Sequence, residues 1–232
     1  FGGQIADIIG SPEYSPPNLN TQGIKTQPDW LFSFFNNPIT IRPNLQVRMP
    51  SFKMFSDDDW NSIIKAFQHM ENHNLSFEET HLIDPNTIEF KAGEKLHEFG
   101  ACNNCHFYGE IKPIQGAATW APDLSLTKDR LRSEWVIEWL RDPQKIMPGT
   151  KMPAPYLPTS DILSVNDAEE TWGQDLVNLN GDVDLMLKGL TDYLYNIPGK
   201  VDISNFVKEY FRTNGYDFDT GDEEEDDWDE DW

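Results

Sequence analysis

The sequence predicts an all-α chain in which two related helical units follow one another and an acidic, disordered C-terminal tail closes the polypeptide. Three observations carry this. Apolar residues recur at helical spacing, and alternating β-pattern is nearly absent. Gln27 to Pro38, QPDWLFSFFNNP, lines up with Arg132 to Pro143, RSEWVIEWLRDP, at an offset of 105 residues. The last 16 residues, Asp217 to Trp232, hold 11 acidic side chains and no basic one, which is too much self-repulsion and too little apolar surface to order when free.

At the same offset PNL at Pro17 to Leu19 matches PDL at Pro122 to Leu124, and Pro43 matches Pro148. With two extra residues in the first unit, RMP at Arg48 to Pro50 then matches KMP at Lys151 to Pro153. The boundaries that follow are a first unit over 1–85, a second over 86–200, a further helix within 201–216 and the tail over 217–232.

In each repeat the aligned stretch predicts a short helix, because Trp30, Leu31, Phe34 and Phe35, like Trp135, Val136, Trp139 and Leu140, fall at i, i+1, i+4 and i+5. Pro28 and Asp29, or Ser133 and Glu134, start it, and Pro38 or Pro143 stops it. A closing helix follows in each unit. In the first, Ser56 is an N-cap candidate, Asp57, Asp58 and Asp59 suit the positive helix start, and Trp60, Ile63, Ile64 and Phe67 form the apolar face. In the second, Leu185, Leu187, Leu190, Tyr193 and Leu194 do the same. Phe90 to Phe99 reads as a helix with Leu96 and Phe99 on one face, Ala154 to Asp182 as a polar, turn-rich insertion, and Val201 to Arg212 as one more helix.

The formal net charge of -22 argues against a nucleic-acid surface, since phosphate binding works through Lys and Arg, and leaves a basic protein partner as the expected kind. No apolar run reaches the roughly 18 residues of a membrane span. The opening FGGQIADIIG lacks Met, a basic region and a long apolar stretch, so no targeting signal is visible. With 2 cysteines in 232 residues a disulfide framework is excluded.

Both cysteines fall in one string, CNNCH, at Cys102 to His106. C-x-x-C-H is the attachment signature of c-type haem: two thiols on one turn add to the two vinyl groups, and the adjacent histidine reaches the iron. A structural zinc site wants a second ligand pair, and only His97 lies nearby. A thioredoxin-like dithiol wants a βαβ context, and Phe90 to Phe99 reads as helix. A second axial ligand is available in Met152, in PGTKMPAP, 46 residues after His106; His with Met is a common pair in electron-transfer haems.

The run GEKLHEFGACNNCH, then APDL, then SEWVIEWLRDPQ, then PGTKMP and a closing helix resembles class I (His/Met) c-type cytochrome domains, in order and over about 110 residues. The resemblance implies thioether bonds to haem c at Cys102 and Cys105, proximal ligation by His106 and distal ligation by Met152. Met147, five residues earlier, is the rival ligand, but it aligns with Arg42 rather than with Met49. Pro122 and Leu124 are expected near the haem edge, and Trp135 and Trp139 in the pocket or the helix core behind it. His97 is expected to be exposed.

The first unit has the back half of this pattern and no C-x-x-C-H. Projecting His106 back by 105 lands on Phe1, so an equivalent motif belongs upstream, with Met49 as the ligand of a second haem. The competing readings are a degenerate unit that lost its haem and a half supplied by another chain. The fold is thus expected to be tandem cytochrome c-like units, the first incomplete at its N-terminal end, and a lone half-unit leaves Trp30 and Phe34 short of packing partners.

A His/Met haem has no open coordination site, so the expected role is one-electron transfer between redox partners with basic docking surfaces, as a subunit of a larger respiratory or photosynthetic complex. The alternative is a dihaem peroxidase-like enzyme or the haem subunit of an oxidoreductase. The resemblance places the chain in the periplasm or on the extracytoplasmic face. The tail reads either as a solvated, solubilising extension or, because Trp228 and Trp232 are set among its charges, as a segment that steers or tethers a basic partner.

Overall fold

The computed structural model describes residues 19–45, 48–73, 81–199 and 201–214. The tail from 217, Trp228, Trp232, Pro17 and the FGGQIADIIG stretch lie outside the described residues. Among those described, every regular element is a helix, and the β contacts are three isolated bridges. The all-α expectation therefore holds.

The N-terminal segment contains α1 (Gln22–Lys25), α2 (Pro28–Asn36) and α3 (Asp57–Met70). Pro28 sits in the first turn of α2, where its missing N–H costs nothing. Ser56 caps α3 with a full capping box: its hydroxyl accepts from Asp59 N, and the Asp59 carboxylate accepts from Ser56 N. Helices α2 and α3 share a small core of Leu31, Phe35, Trp60 and Ile64, against which Met49 and Phe52 pack.

The larger segment starts with α4 (Ile88–Phe99) and continues through α5 (Thr127–Arg130), α6 (Ser133–Arg141) and α7 (Pro143–Ile146) to α8 (Ser160–Leu163), α9 (Ala168–Trp172), α10 (Gln174–Asn178) and α11 (Val183–Tyr195). The most extensive helix contact is α4 on α11. It closes over Gly93 and Gly189, where the two backbones touch, and around it Ala92, Leu96, Met186, Leu187 and Leu190 are fully buried. Then α12 (Ser204–Thr213) packs Val207 and Phe211 with Phe107 and Trp120 in a separate cluster.

Four expectations about these elements need correction. The stretch 154–182 is no simple polar insertion: Leu163 of α8, Leu176 of α10 and Leu179 just after it lie in the main core, and Trp172 of α9 is partly packed against it. Polar residues dominate there because each short helix buries only one or two side chains. Phe99 does not share the buried face of Leu96; it is exposed, and its ring lies 4.4 Å from that of Trp172. His97 is half-buried rather than exposed: Nδ1 lies 3.0 Å from Tyr108 Oη, and Nε2 is buried without a partner. In α11 Met186 is fully buried beside Leu187 and Leu190, whereas Leu185 is only partly covered.

The repeat has a geometric counterpart. Helix α5 lies 105 residues after α1, and α6 the same distance after α2, at both ends. The two copies meet each other directly: Gln27 N donates to Arg130 O and Arg132 N donates to Lys25 O, both at 2.9 Å, around an antiparallel bridge between Thr26 and Leu131. Thr26 faces its own counterpart, Leu131, and the two flanking hydrogen bonds are exchanged by the repeat, as in a two-fold contact. Among the described residues no helix is long and apolar enough to cross a membrane.

Candidate functional site

Helix α4 ends at Phe99, and the chain turns through Ala101, which holds a left-handed conformation at φ 46°. That turn throws Cys102 into a 3₁₀ turn, Cys102–Asn104, rather than a full α-turn. Both thiols are half-buried and unbridged. Burial pushes the Cys102 thiol up to about 11, the opposite of what a reactive dithiol needs.

The next twenty residues wrap back over this turn. Ile114 N and Gln115 N donate to Asn103 O and Asn104 O, Ala121 N donates to Cys105 O, and Leu124 N donates to Phe107 O. Trp120 Nε1 donates to Gln115 O at 3.1 Å. The result is that Pro122 O lies 2.6 Å from His106 Nδ1. A carbonyl only accepts, so Nδ1 carries the proton and Nε2 keeps its lone pair for a metal. Burial lowers the His106 pKa, against the opposing pulls of that hydrogen bond and of Asp123, and so favours the neutral imidazole that metal ligation requires.

Met152 is half-buried against the main core, and its sulfur accepts from Trp139 Nε1 at 2.9 Å. Met147 is also half-buried, at the C-terminal end of α7. Trp135 and Trp139 stack with ring centroids 5.1 Å apart, and the buried Trp135 Nε1 has no acceptor. Leu124, like Trp139 and Met152, is partly buried against the main core. Among the described residues no three His, Cys, Asp or Glu side chains converge. The donor set fits a haem: a neutral imidazole with its tautomer set, two thiols at the attachment spacing, a thioether, and a buried indole N–H in want of an acceptor.

The N-terminal segment repeats part of this arrangement. Trp30 and Phe34 stack at 5.0 Å, 105 residues before Trp135 and Trp139. They line a cavity of about 390 Å³ together with Phe35, Phe52, Met49 and Arg42, within the range of about 300–1,000 Å³ typical of cofactor pockets. Trp30 and Phe34 thus stack on each other along α2, and both face the cavity. Cations cross the seam in both directions. Lys25 Nζ lies 4.8 Å from the Trp135 ring centroid, and the Arg130 guanidinium 5.5 Å from that of Trp30.

Sequence reading missed Lys25, Arg42 and Arg130. The visible signal was the pair itself, since Lys25 and Arg130 occupy matching positions of the repeat, both basic. Burial, then the charges of Arg130 and Arg42, hold Lys25 well below 10.5. Burial and Arg42 push Arg130 down to about 9. The unfolded chain therefore binds more protons than the folded one between the folded and unfolded values, and stability of the protein without a bound anion rises with pH through that window. Urea unfolding at stepped alkaline pH is expected to show the rise, and Lys25→Met to flatten it in part, with Arg130 supplying the rest. A flat wild-type profile would refute the charge cluster.

Neither a protein-family model, nor a curated protein, nor a solved structure matches the chain.

Proposed function

We propose that the chain is an electron-transfer c-type cytochrome of two tandem cytochrome c-like units, with haem c held by Cys102, Cys105, His106 and Met152. The observation that carries this is the 2.6 Å contact between His106 Nδ1 and Pro122 O, directly beside two unbridged thiols at C-x-x-C spacing. A chance C-x-x-C-H has no reason to come with a histidine whose tautomer is already set for a metal.

Bound there, haem supplies a one-electron ferric/ferrous couple. The protein's own part is to hold and insulate it. Pro122 O fixes the His106 ring. Trp139 Nε1 orients the Met152 thioether, and a thioether ligand raises the reduction potential. Trp135 Nε1 offers a buried donor to an acidic group of the cofactor. Held by His106 and Met152, a haem there would have no ligand position left for substrate and would supply outer-sphere electron transfer to redox partners. The net charge of -22 suits partners with basic docking surfaces, within a larger redox complex on the extracytoplasmic or periplasmic side.

The oxidised protein is expected to show the sulfur-to-iron charge-transfer band near the red end of its spectrum. Met152→Ala should abolish it and Met147→Ala preserve it. The reverse result moves the ligand to Met147. A fast spectral response of the native protein to carbon monoxide or peroxide would instead favour an enzyme.

A further inference from the structure

We infer that the cavity of the N-terminal segment is the docking site for this chain's own acidic stretch 217–232, which enters through the Trp228 indole and sets the neighbouring carboxylates against Arg42 and Arg130. The inference stands on the cavity and on the sequence of that stretch, and it does not depend on the electron-transfer reading.

Trp30 and Phe34 give the cavity an aromatic wall, and its charged lining residues, Lys25, Arg42, Arg48 and Arg130, are all cations among the described residues. Arg130 is 9 % exposed, and its buried Nε has no hydrogen-bond partner. A buried guanidinium costs stability unless an anion joins it. The Trp30 ring, 5.5 Å from it, contributes much less than a carboxylate does. The occupant this lining describes has an aromatic head with carboxylates on either side. Residues 226–230, Asp-Asp-Trp-Asp-Glu, are such a segment, and 217–232 holds no basic residue to repel the cations.

The fold also delivers the stretch to the cavity. Thr40 N donates to Ser204 Oγ at 2.8 Å, which pins the start of α12 beside the N-terminal segment. Thr40, Arg48 and Met49 line both the cavity and a smaller hollow, to which α12 contributes Ser204, Asn205 and Lys208. From Ser204 the helix runs about 14 Å to Thr213, and residues 214–228 span up to about 50 Å when extended. Reach is therefore ample. The tether makes docking intramolecular, at an effective concentration on the order of millimolar, so a modest intrinsic affinity keeps the cavity filled. Lys25 holds its ammonium 4.8 Å from the Trp135 ring centroid, and its share of the alkaline rise in stability persists with the stretch in place.

The test uses the full-length chain and a synthetic peptide of residues 217–232. A Trp228→Ala/Trp232→Ala protein lacks the native anchor. Calorimetry should show it binding one equivalent of peptide at least about tenfold more tightly than the wild type, whose cavity is already filled. A peptide with both tryptophans replaced by alanine should bind that variant at least about tenfold more weakly than the native peptide. Adding Arg130→Gln, or separately Arg42→Gln, should weaken the native peptide about tenfold, the worth of a charge-assisted hydrogen bond, with the circular dichroism of the variant unchanged. Anilinonaphthalene sulfonate, an apolar anion, is the competitor. The tryptophan-free variant should take it up and release it to the peptide, and the wild type should exclude it.

Equal binding of the peptide by wild type and variant, no binding by the variant, or an affinity indifferent to both arginine changes overturns the inference. Equal uptake of anilinonaphthalene sulfonate by wild type and variant also overturns it, and means that the cavity takes a free apolar anion instead.

Discussion

Gly93→Ala is expected to destabilise the protein by about 3 kcal/mol and to lower its melting temperature by about 6–12 °C. A Cβ on Gly93 would lie 2.0 Å from Gly189 O, and one on Gly189 would lie 1.9 Å from Glu89 O. In both cases the obstacle is backbone, which cannot rotate away as a flexible side chain can. Relief requires α4 and α11 to separate, and that opens the shell of Ala92, Leu96, Met186, Leu187 and Leu190, all essentially solvent-free. The cost therefore belongs at the upper end of overpacking effects.

Gly189→Ala should cost a similar amount, and the double variant less than the sum, because both relieve through the same separation. Gly116→Ala is the matched control. Its φ of -71° suits any residue and a Cβ there would meet nothing within 4 Å, so the change should be neutral or stabilise by about 0.4–1 kcal/mol. Thermal melts read all four. A Gly93→Ala protein that melts with the wild type would mean that the two helices do not cross at these residues.

The other large effect concerns CNNCH. The Cys102→Ala/Cys105→Ala protein is expected to retain no haem after denaturation in acid and organic solvent, whereas the parent retains it quantitatively. Each single variant should keep one thioether at most and show a shifted pyridine haemochrome band. His106→Ala should keep the covalent attachment but lose the low-spin spectrum, because Pro122 O can position only an imidazole that is present. Ala at 102 and 105 fills less space than Cys at two half-exposed positions, so the helices should survive and the loss should be read as a loss of attachment. Haem that stays with the denatured double variant would sink the proposal for this site.

The helices were largely legible. Ser56 with three aspartates behind it could hardly be anything but an N-terminus, and the repeat placed α2 and α6 because proline punctuation and i, i+4 spacing are local properties of the chain. The ligand candidates were legible for the same reason: CNNCH is a short string whose chemistry depends on spacing. His97 and Phe99 were misread because both sit in the last turn of α4, where burial depends on what another part of the chain brings. Tyr108 came to one, and Trp172 to the other. The stretch 154–182 was misjudged because three helices of one turn each leave no periodicity long enough to read.

By itself the sequence determined the helical class and the duplicated segment at an offset of 105, and it singled out Cys102, Cys105, His106 and Met152 as candidates. Only the tertiary structure decided that the two copies meet face to face, that Pro122 O aligns His106, and that Lys25, Arg42 and Arg130 gather around one cavity without a carboxylate among the described residues. The physical reason is range. Helix signals and ligand spacings act over a few residues, whereas the energy of a buried charge is set by everything within several ångströms of it, and Lys25 and Arg130 become neighbours only when residues 105 positions apart in the chain fold onto their own repeat.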